Sequence, residues 1–138
     1  MKKEKRILVD MSATLIHHGH VRLLKAAKKR GRVIVALTTD DSLRAQKGYV
    51  PELNFEERKE ILESIRYVDE VIPSPWLIDT AFLDLHRIDL LVHGHDNANP
   101  INPERLLILP RTPGVSSSLL RSRVLEAVAQ ILVKRDIS

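Results

Sequence analysis

Residues Ile7–His20 read ILVDMSATLIHHGH, and this stretch indicates the fold. A short apolar run, Ile7–Val9, is followed directly by a polar segment and then by the start of a helical pattern. Similar apolar runs recur at Val33–Leu37, Val68–Ile72, Ile88–Val92 and Leu106–Leu109. Near-continuous runs of Val, Ile and Leu are typical of strands that are covered on both faces, as in parallel sheets. The sequence therefore predicts five short strands in a mainly parallel sheet.

Helical patterns lie between these runs. Val21 and Leu24 recur at helical spacing, and Gly31 is expected to end that first helix. Asn54 and Glu57 have the spacing of a capping box, which predicts a helix that continues to Arg66. A last helix is expected to start near Ser116. The side chains expected to face the core from these two helices are Ile61, Leu62, Ile65, Leu120, Val124, Ala127 and Ile131.

The alternation of strands and helices covers the whole chain of 138 residues. It predicts a single α/β domain, residues 1–138 with a core at about 6–125, and helices on both faces of the sheet. Ligands of such folds bind beyond the carboxyl ends of the strands. We therefore expect the site in the segments after Asp10, Thr38, His93 and Pro110.

Composition excludes several classes of protein. Cysteine is absent, which excludes disulfides, thiolate metal sites and a cysteine nucleophile. Aromatic residues make up only 4%, too few for a row of base-stacking rings. No apolar run reaches the length of a membrane span, and no leader pattern follows Met1. We expect a cytoplasmic protein that binds neither nucleic acid nor membrane, and whose basic N-terminal third suits a small polyanionic substrate.

Three of the six histidines fall at the start of the first helix, in His17-His18-Gly19-His20. Free backbone N–H groups and the helix dipole make such a position suitable for phosphate. His17 and His20, three residues apart, can face one pocket, whereas His18 is expected to point elsewhere. Gly19 permits a close backbone approach. The alternatives are histidines that only pack or lie on the surface, and a metal pair, for which no nearby carboxylate completes a zinc set.

A second anion site is predicted in residues 110–118, PRTPGVSSS, before the last helix. Arg111 can hold phosphate in a bidentate fork, Gly114 permits an unusual turn, and the serine hydroxyls lie beside free helix N–H groups. A helix cap alone would explain one of the serines. Two such sites, at the first and last crossovers of one sheet, predict a ligand with several phosphates, such as a nucleoside triphosphate. Neither segment matches a Walker loop or a GxGxxG motif.

The motif His17-x-Gly19-His20, together with Arg111-Thr112-x-Gly114-x-Ser116-Ser117-Ser118, resembles the two signatures of the cytidylyltransferase family. The resemblance covers about residues 6–125. The chain is similar to glycerol phosphate members of the family and, in the first motif, to cytidylyltransferase domains of phosphonate pathways. It implies a Rossmann-like nucleotidyltransferase, usually a homodimer, that joins CTP to a phosphorylated or phosphono alcohol and releases pyrophosphate. It also implies Mg²⁺ bound with CTP, without ligands from the protein.

The resemblance further implies roles for individual residues. Four are expected to be catalytic, namely His17, His20, Lys47 and Arg111. Twelve are expected to bind the nucleotide: Met11, Ser12, Ala13, Thr14, Gly19, Gly94, Asp96, Thr112, Gly114, Ser116, Ser117 and Ser118. Arg58 and Arg66 would bind phosphate of CTP or of the acceptor, or would merely form surface ion pairs with nearby glutamates. Lys47 is expected in a loop before Gly48.

Thr14 stands where members of this family commonly have Asp. This difference leaves open a catalytically impaired nucleotide-binding regulatory subunit. An adenylyltransferase on the same fold is a second alternative, because the choice of base depends on loop backbone geometry that the sequence does not reveal. After the fourth strand the chain reads Gly94-His95-Asp96-Asn97. Of His93 and His95, which alternate along the strand end, only one is expected to face the pocket.

Overall fold

Five strands form one sheet in the computed structural model, which describes residues 3–94 and 97–137, the side chain of residue 137 excepted. They are β1 (Arg6–Met11), β2 (Arg32–Thr38), β3 (Glu70–Ser74), β4 (Leu90–His93) and β5 (Leu106–Ile108). Their order is β3-β2-β1-β4-β5, and every neighbouring pair is parallel. The prediction of a five-stranded parallel sheet is confirmed.

Helices connect the strands and cover both faces of the sheet. They are α1 (His18–Lys28), α2 (Asp40–Lys47), α3 (Phe55–Glu63), α4 (Thr80–Leu85) and α5 (Ser117–Ile137), with a single 3₁₀ turn at Pro103–Arg105. Ile7 packs on one face against α1 and α3, whereas Leu8 packs on the other against α4, as alternation along a strand requires. Because both faces are buried, the strands carry few polar residues.

Two of the predicted strands begin later than their apolar runs. The runs at 68–72 and 88–92 correspond to strands at Glu70–Ser74 and Leu90–His93. Asp69 interrupts the first run, and its Oδ2 accepts hydrogen bonds from the Val33 backbone N–H at 2.8 Å and from Lys28 Nζ at 2.7 Å. Asp89 accepts in the same way from the Arg6 backbone N–H. Each aspartate thus satisfies a backbone donor at the start of the neighbouring strand.

Helices α2, α3 and α4 differ from the predictions. The helix that starts with the Asn54–Glu57 capping box is confirmed, but it ends at Glu63 instead of Arg66, and Ile61 is exposed rather than inward. The short helices α2 and α4 were not predicted. Lys47 is the last residue of α2, not part of a loop, and Gly48 ends that helix with φ 77°.

The last helix starts as predicted, with Ser116 Oγ accepting from the Leu119 backbone N–H at 3.0 Å. Beyond its first turns this helix packs no side chain into the core, because residues 122–136 are all exposed. Val124 is 62% exposed and Ile131 is 51% exposed, so the prediction that they face the core is wrong. None of the helices in the described ranges combines the length and the apolar character needed to cross a lipid bilayer.

Arg58 is the largest fully buried side chain and joins three segments behind the carboxyl edge of the sheet. Its Nη1 donates to the carbonyl oxygens of Ser12 at 2.7 Å and Thr38 at 3.0 Å, and its Nε donates to that of Leu53. Its Nη2 donates to Asp40 Oδ1 at 2.7 Å. The guanidinium therefore fixes the ends of β1 and β2 relative to α3.

Replacing Arg58 by Met is expected to lower the free energy of unfolding by about 3 kcal/mol, because three carbonyl oxygens and Asp40 lose their donor. Arg66→Met is the matched control. Since Arg66 is exposed, its replacement is expected to change the free energy by less than about 0.5 kcal/mol. Urea denaturation of the two variants and the wild type measures both effects. Equal losses in the two variants would contradict the structural role of Arg58.

Candidate active site

A cavity of about 560 Å³ opens at the carboxyl edge of the sheet, beyond the ends of β1, β2, β4 and β5. The location agrees with the expectation from the fold. Fourteen of the predicted site residues line it: Met11, Ser12, Ala13, Thr14, His17, Gly19, His20, Lys47, Gly94, Arg111, Thr112, Ser116, Ser117 and Ser118. The two motifs from opposite ends of the chain therefore meet at one cavity.

His17 and His20 form a reciprocal capping box at the start of α1. His17 Nδ1 accepts from the Gly19 backbone N–H at 3.0 Å, and His20 Nδ1 accepts from the His17 backbone N–H at 3.1 Å. Imidazoles thus take the places that Ser or Thr and Glu or Gln hold in the usual box. The two ring centroids are 4.0 Å apart.

These hydrogen bonds decide which nitrogen of each ring carries the proton. Because each Nδ1 accepts a hydrogen bond, each neutral ring carries its proton on Nε2. Burial lowers the pKa of His20 to about 4, with a further contribution from the neighbouring His17. Burial and the nearby His18 also lower the pKa of His17. At neutral pH the pair offers two uncharged N–H donors.

Gly19 is needed for the packing of the first imidazole. A Cβ atom at this position would lie 2.8 Å from Cε1 and 2.9 Å from Nδ1 of His17. These distances are shorter than real Cβ contacts, so any larger residue would displace the ring. Gly19 therefore makes room for the His17 ring, which folds back over the helix start, and the close approach of a ligand stays a prediction.

The loop between β1 and α1 is held from two sides. Ala13 has φ 46°, a left-handed conformation that is unfavourable for a residue with a Cβ. The carbonyl oxygen of Ser12 accepts from Arg58, and that of Met11 accepts from Thr38 Oγ1 at 3.3 Å. These contacts hold the strained loop in place.

The second motif contacts the first through a serine. Ser117 Oγ donates to the carbonyl oxygen of Leu15 at 2.9 Å, and the Leu15 backbone N–H donates to Ser117 Oγ at 3.2 Å. Ser116 caps α5, so two of the three serine hydroxyls have structural partners. Arg111, Thr112 and Ser118 line the same cavity, and this motif contributes their guanidinium and hydroxyl groups beside the caps.

Three of the predicted site residues that the structure describes do not line the cavity. Arg58 is buried behind it and Arg66 is exposed away from it, so neither side chain is placed to bind a phosphate in this cavity. Gly114 adopts φ 77°, as the unusual turn requires, but it does not line the cavity. Asp96 lies outside the described residues, as does His95. His93 lines the cavity, and His18 is exposed outside it.

A polar cluster at the cavity floor was not among the predicted site residues. Asp10 Oδ1 lies 2.5 Å from His93 Nδ1, and Asp10 Oδ2 accepts from Asn99 Nδ2 at 2.9 Å. Asn99 Oδ1 in turn accepts from the Ile78 backbone N–H at 2.7 Å. The expectation that ligands bind beyond the carboxyl ends of the strands pointed to the positions after Asp10 and His93. No sequence motif indicated Asn99. Tyr49 and Trp76 add aromatic walls that the sequence did not indicate.

The side chains that the structure describes at the cavity offer few ligands for a magnesium ion. Within the described ranges, no group of three or more His, Asp or Glu residues is arranged to hold a metal ion. Both oxygens of Asp10 already accept hydrogen bonds or pair with His93. Magnesium needs several oxygen ligands in octahedral geometry, usually including substrate phosphates. The donor set thus fits hydrogen bonding of a bound polyanion better than metal coordination.

Comparison with known proteins identifies the class. The cytidylyltransferase-like family model matches residues 12–109. Glycerol-3-phosphate cytidylyltransferase of Bacillus subtilis (strain 168) is 34% identical over 125 residues, which cover 87% of this chain and 97% of that protein. The chain belongs to the cytidylyltransferase-like family, whose named members are nucleotidyltransferases.

Other relatives act on different molecules according to their names. Ethanolamine-phosphate cytidylyltransferase of Mus musculus is 32% identical over 132 residues, covering 87% of this chain and 32% of that protein. FAD synthase of Thermococcus kodakarensis is 34% identical over 122 residues, covering 87% and 80%. The lipopolysaccharide core biosynthesis protein from Thermoplasma volcanium GSS1 superposes with a TM-score of 0.64 at 18% identity, covering 80% of this chain and 98% of that one. This last likeness shows the shared fold.

The lowered pKa of His20 predicts a pH-dependent stability. In the unfolded chain His20 takes up a proton near pH 6.5, but in the fold it does so near pH 4. Between these values the unfolded chain binds more protons, so lowering the pH favours unfolding. The share of His20 is about 3 kcal/mol between pH 7 and pH 4. Urea denaturation at several pH values measures it.

His20→Gln isolates this contribution. Gln at this position can still accept from the His17 backbone N–H, so the capping box is kept while the titration is removed. The variant is expected to lose less stability than the wild type as the pH falls. His18→Gln is the control and is expected to follow the wild type. Parallel pH curves for wild type and His20→Gln would show that His20 does not titrate as described.

Proposed function

We propose that the protein transfers CMP from CTP to a phosphorylated or phosphono alcohol and releases pyrophosphate. The observation that carries the proposal is the cavity at which the His17–His20 pair and the Arg111–Ser118 segment meet. Membership of the cytidylyltransferase-like family supports it. The names of the relatives support an acceptor of this class, since they specify glycerol phosphate and ethanolamine phosphate.

The proposed reaction is a displacement at the α-phosphorus of CTP. An ionised oxygen of the acceptor forms a bond to this phosphorus while the bond to the bridging oxygen of the β-phosphate breaks. The bridging oxygen keeps the electron pair and leaves as part of pyrophosphate. Since the attacking oxygen is already ionised at neutral pH, no side chain has to remove a proton. Catalysis then depends on positioning and on stabilisation of charge.

The imidazole pair suits this chemistry because its donors are fixed before the substrate binds. The Nε2–H groups of His17 and His20 would donate to oxygens of the α-phosphate and of the departing pyrophosphate. Lys47 and Arg111 line the same cavity and would neutralise the triphosphate. The start of α1 adds a positive end of a helix dipole beneath it. These groups stabilise charge that moves from the acceptor to the leaving group.

Magnesium enters this proposal as part of the substrate, in a complex with CTP. The described residues supply no cage of their own for it. The homodimer, the cytoplasmic location and the single-domain boundaries at 1–138 stay predictions from the sequence.

A second candidate function is adenylyl transfer. The similarity to FAD synthase over 122 residues favours it, because the name of that relative specifies a product that contains an adenine nucleotide. The groups that contact phosphate would act in the same way on ATP. The difference would lie in the contacts to the base.

Pyrophosphate release from CTP and from ATP, measured with Mg²⁺ and a panel of phosphate and phosphono alcohols, tests the proposal. We expect turnover with CTP and a value of kcat/KM at least about tenfold lower with ATP. Preferential turnover of ATP would establish the second candidate instead. Absence of turnover with both nucleotides, but activity in Thr14→Asp, would support the impaired regulatory subunit.

His17→Asn tests the role of the imidazole without disturbing the helix. Asn is among the best residues for a helix N-cap, so the start of α1 should persist. Loss of one fixed donor is expected to lower kcat by about 10²–10³-fold, with an unchanged melting temperature. His18→Asn is the matched control, because His18 is exposed outside the cavity, and it should keep wild-type kcat. Full activity of His17→Asn would exclude the proposed role of His17.

A further inference from the structure

The loop at residues 48–54, between α2 and α3, forms part of the cavity rim. Tyr49 of this loop lines the cavity. Lys47, the last residue of α2, directly precedes the loop. Lys47 Nζ lies 5.5 Å from the ring centroid of Trp76, which lines the cavity as well. The positions of Lys47 and Tyr49 therefore depend on how this loop is held.

Arg121 of α5 holds the loop through Glu52. Its Nε donates to Glu52 Oε1 and its Nη2 donates to Glu52 Oε2, both at 2.7 Å. The same Nη2 lies 3.3 Å from Thr14 Oγ1, and the guanidinium carbon lies 4.7 Å from the ring centroid of Tyr49. One planar side chain thus contacts the loop at two places and reaches the segment between β1 and α1.

The position of Arg121 is itself fixed. Ser117 lies four residues earlier, on the same side of α5, and its hydroxyl exchanges two hydrogen bonds with the backbone of Leu15. The first two turns of α5 are therefore docked on the loop that carries the first motif. Loop 48–54 is attached, through Glu52, to the same docked turns.

We propose that Glu52 and Arg121 are positioning residues that hold Tyr49 and Lys47 at the cavity and thereby set the affinity for the nucleotide. The inference rests on the proposed function, because it takes the nucleotide to be CTP. Bidentate pairing of Arg with a carboxylate fixes direction as well as distance, and a stacked ring adds to this. A loop that is ordered beforehand does not have to be ordered when the nucleotide binds.

The exposure of the pair argues against a mainly structural role. The side chains of Arg121 and Glu52 are 31% and 45% exposed, and exposed ion pairs contribute little to global stability. The hydrogen bonds from Arg121 also lower the pKa of Glu52, so the carboxylate stays ionised at neutral pH. The pair is thus suited to orient a loop without being required for folding.

Glu52→Gln is the test, with Glu63→Gln as the matched control. Glu63 is an exposed residue of α3 that does not line the cavity. In Glu52→Gln, KM for CTP is expected to rise about tenfold, with kcat within about twofold of the wild type. The melting temperature should stay within a few degrees. Glu63→Gln should match the wild type in all three quantities.

A second measurement needs no nucleotide. Trp76 is the single tryptophan of the chain, so quenching of its fluorescence reports the solvent access of the ring that Lys47 lies beside. Acrylamide quenching is expected to increase in Glu52→Gln and to stay at the wild-type level in Glu63→Gln. If the wild type fails to turn over CTP, the proposed function fails, and this quenching comparison still decides the positioning of the loop.

Three results would overturn the inference. One is a wild-type KM for CTP in Glu52→Gln when the wild type itself turns over CTP. Another is unchanged quenching of Trp76. The third is a fall in the melting temperature of Glu52→Gln by more than about 5 °C, which would show that the pair is part of the global stability.

Discussion

Every strand runs in the same direction, and this constraint places all the functional loops at one edge of the sheet. In the order β3-β2-β1-β4-β5, strands β2 and β3 lie on one side of β1, and β4 and β5 lie on the other. Ligands of open α/β sheets usually bind at such a switch point, here between β1 and β4. The contact between Asp10 at the end of β1 and His93 at the end of β4 spans this point. The motifs at residues 17–20 and 111–118 meet across the same edge. Their convergence thus follows from the topology and not from their own local sequence.

Much of the fold could be predicted because buried parallel strands leave a clear apolar pattern. Two of the errors occur where a single polar contact overrides that pattern. Strands β3 and β4 begin one residue after Asp69 and Asp89, later than the apolar pattern indicates. The carboxylates of these two residues accept hydrogen bonds from the backbone of neighbouring strands. Helices α2 and α4 have eight and six residues, too short for a clear helical period. Val124 and Ile131 have helical spacing but lack a surface of this chain to cover.

The site was predictable where a motif is local and unpredictable where it depends on tertiary contacts. His17, Gly19 and His20 form a local unit, in which spacing alone places the two rings on one side of the helix start. Arg58 lies among charged residues in the sequence, as exposed cations do. Its hydrogen-bond partners nevertheless lie up to 46 residues away. Asn99 and Asp10 are 89 residues apart, and only the register of β1 beside β4 brings them together.

The hydrogen bonds between Ser117 and Leu15 join positions that are 102 residues apart. During synthesis, therefore, the first motif emerges long before its partner. A nascent chain that ends after β4 can pair β1 with both of its neighbours but lacks the wall that residues 110–118 supply. Contacts of such long range are slow to form, because a large loop must close first. The cavity is consequently completed only after residues 110–118 have left the ribosome.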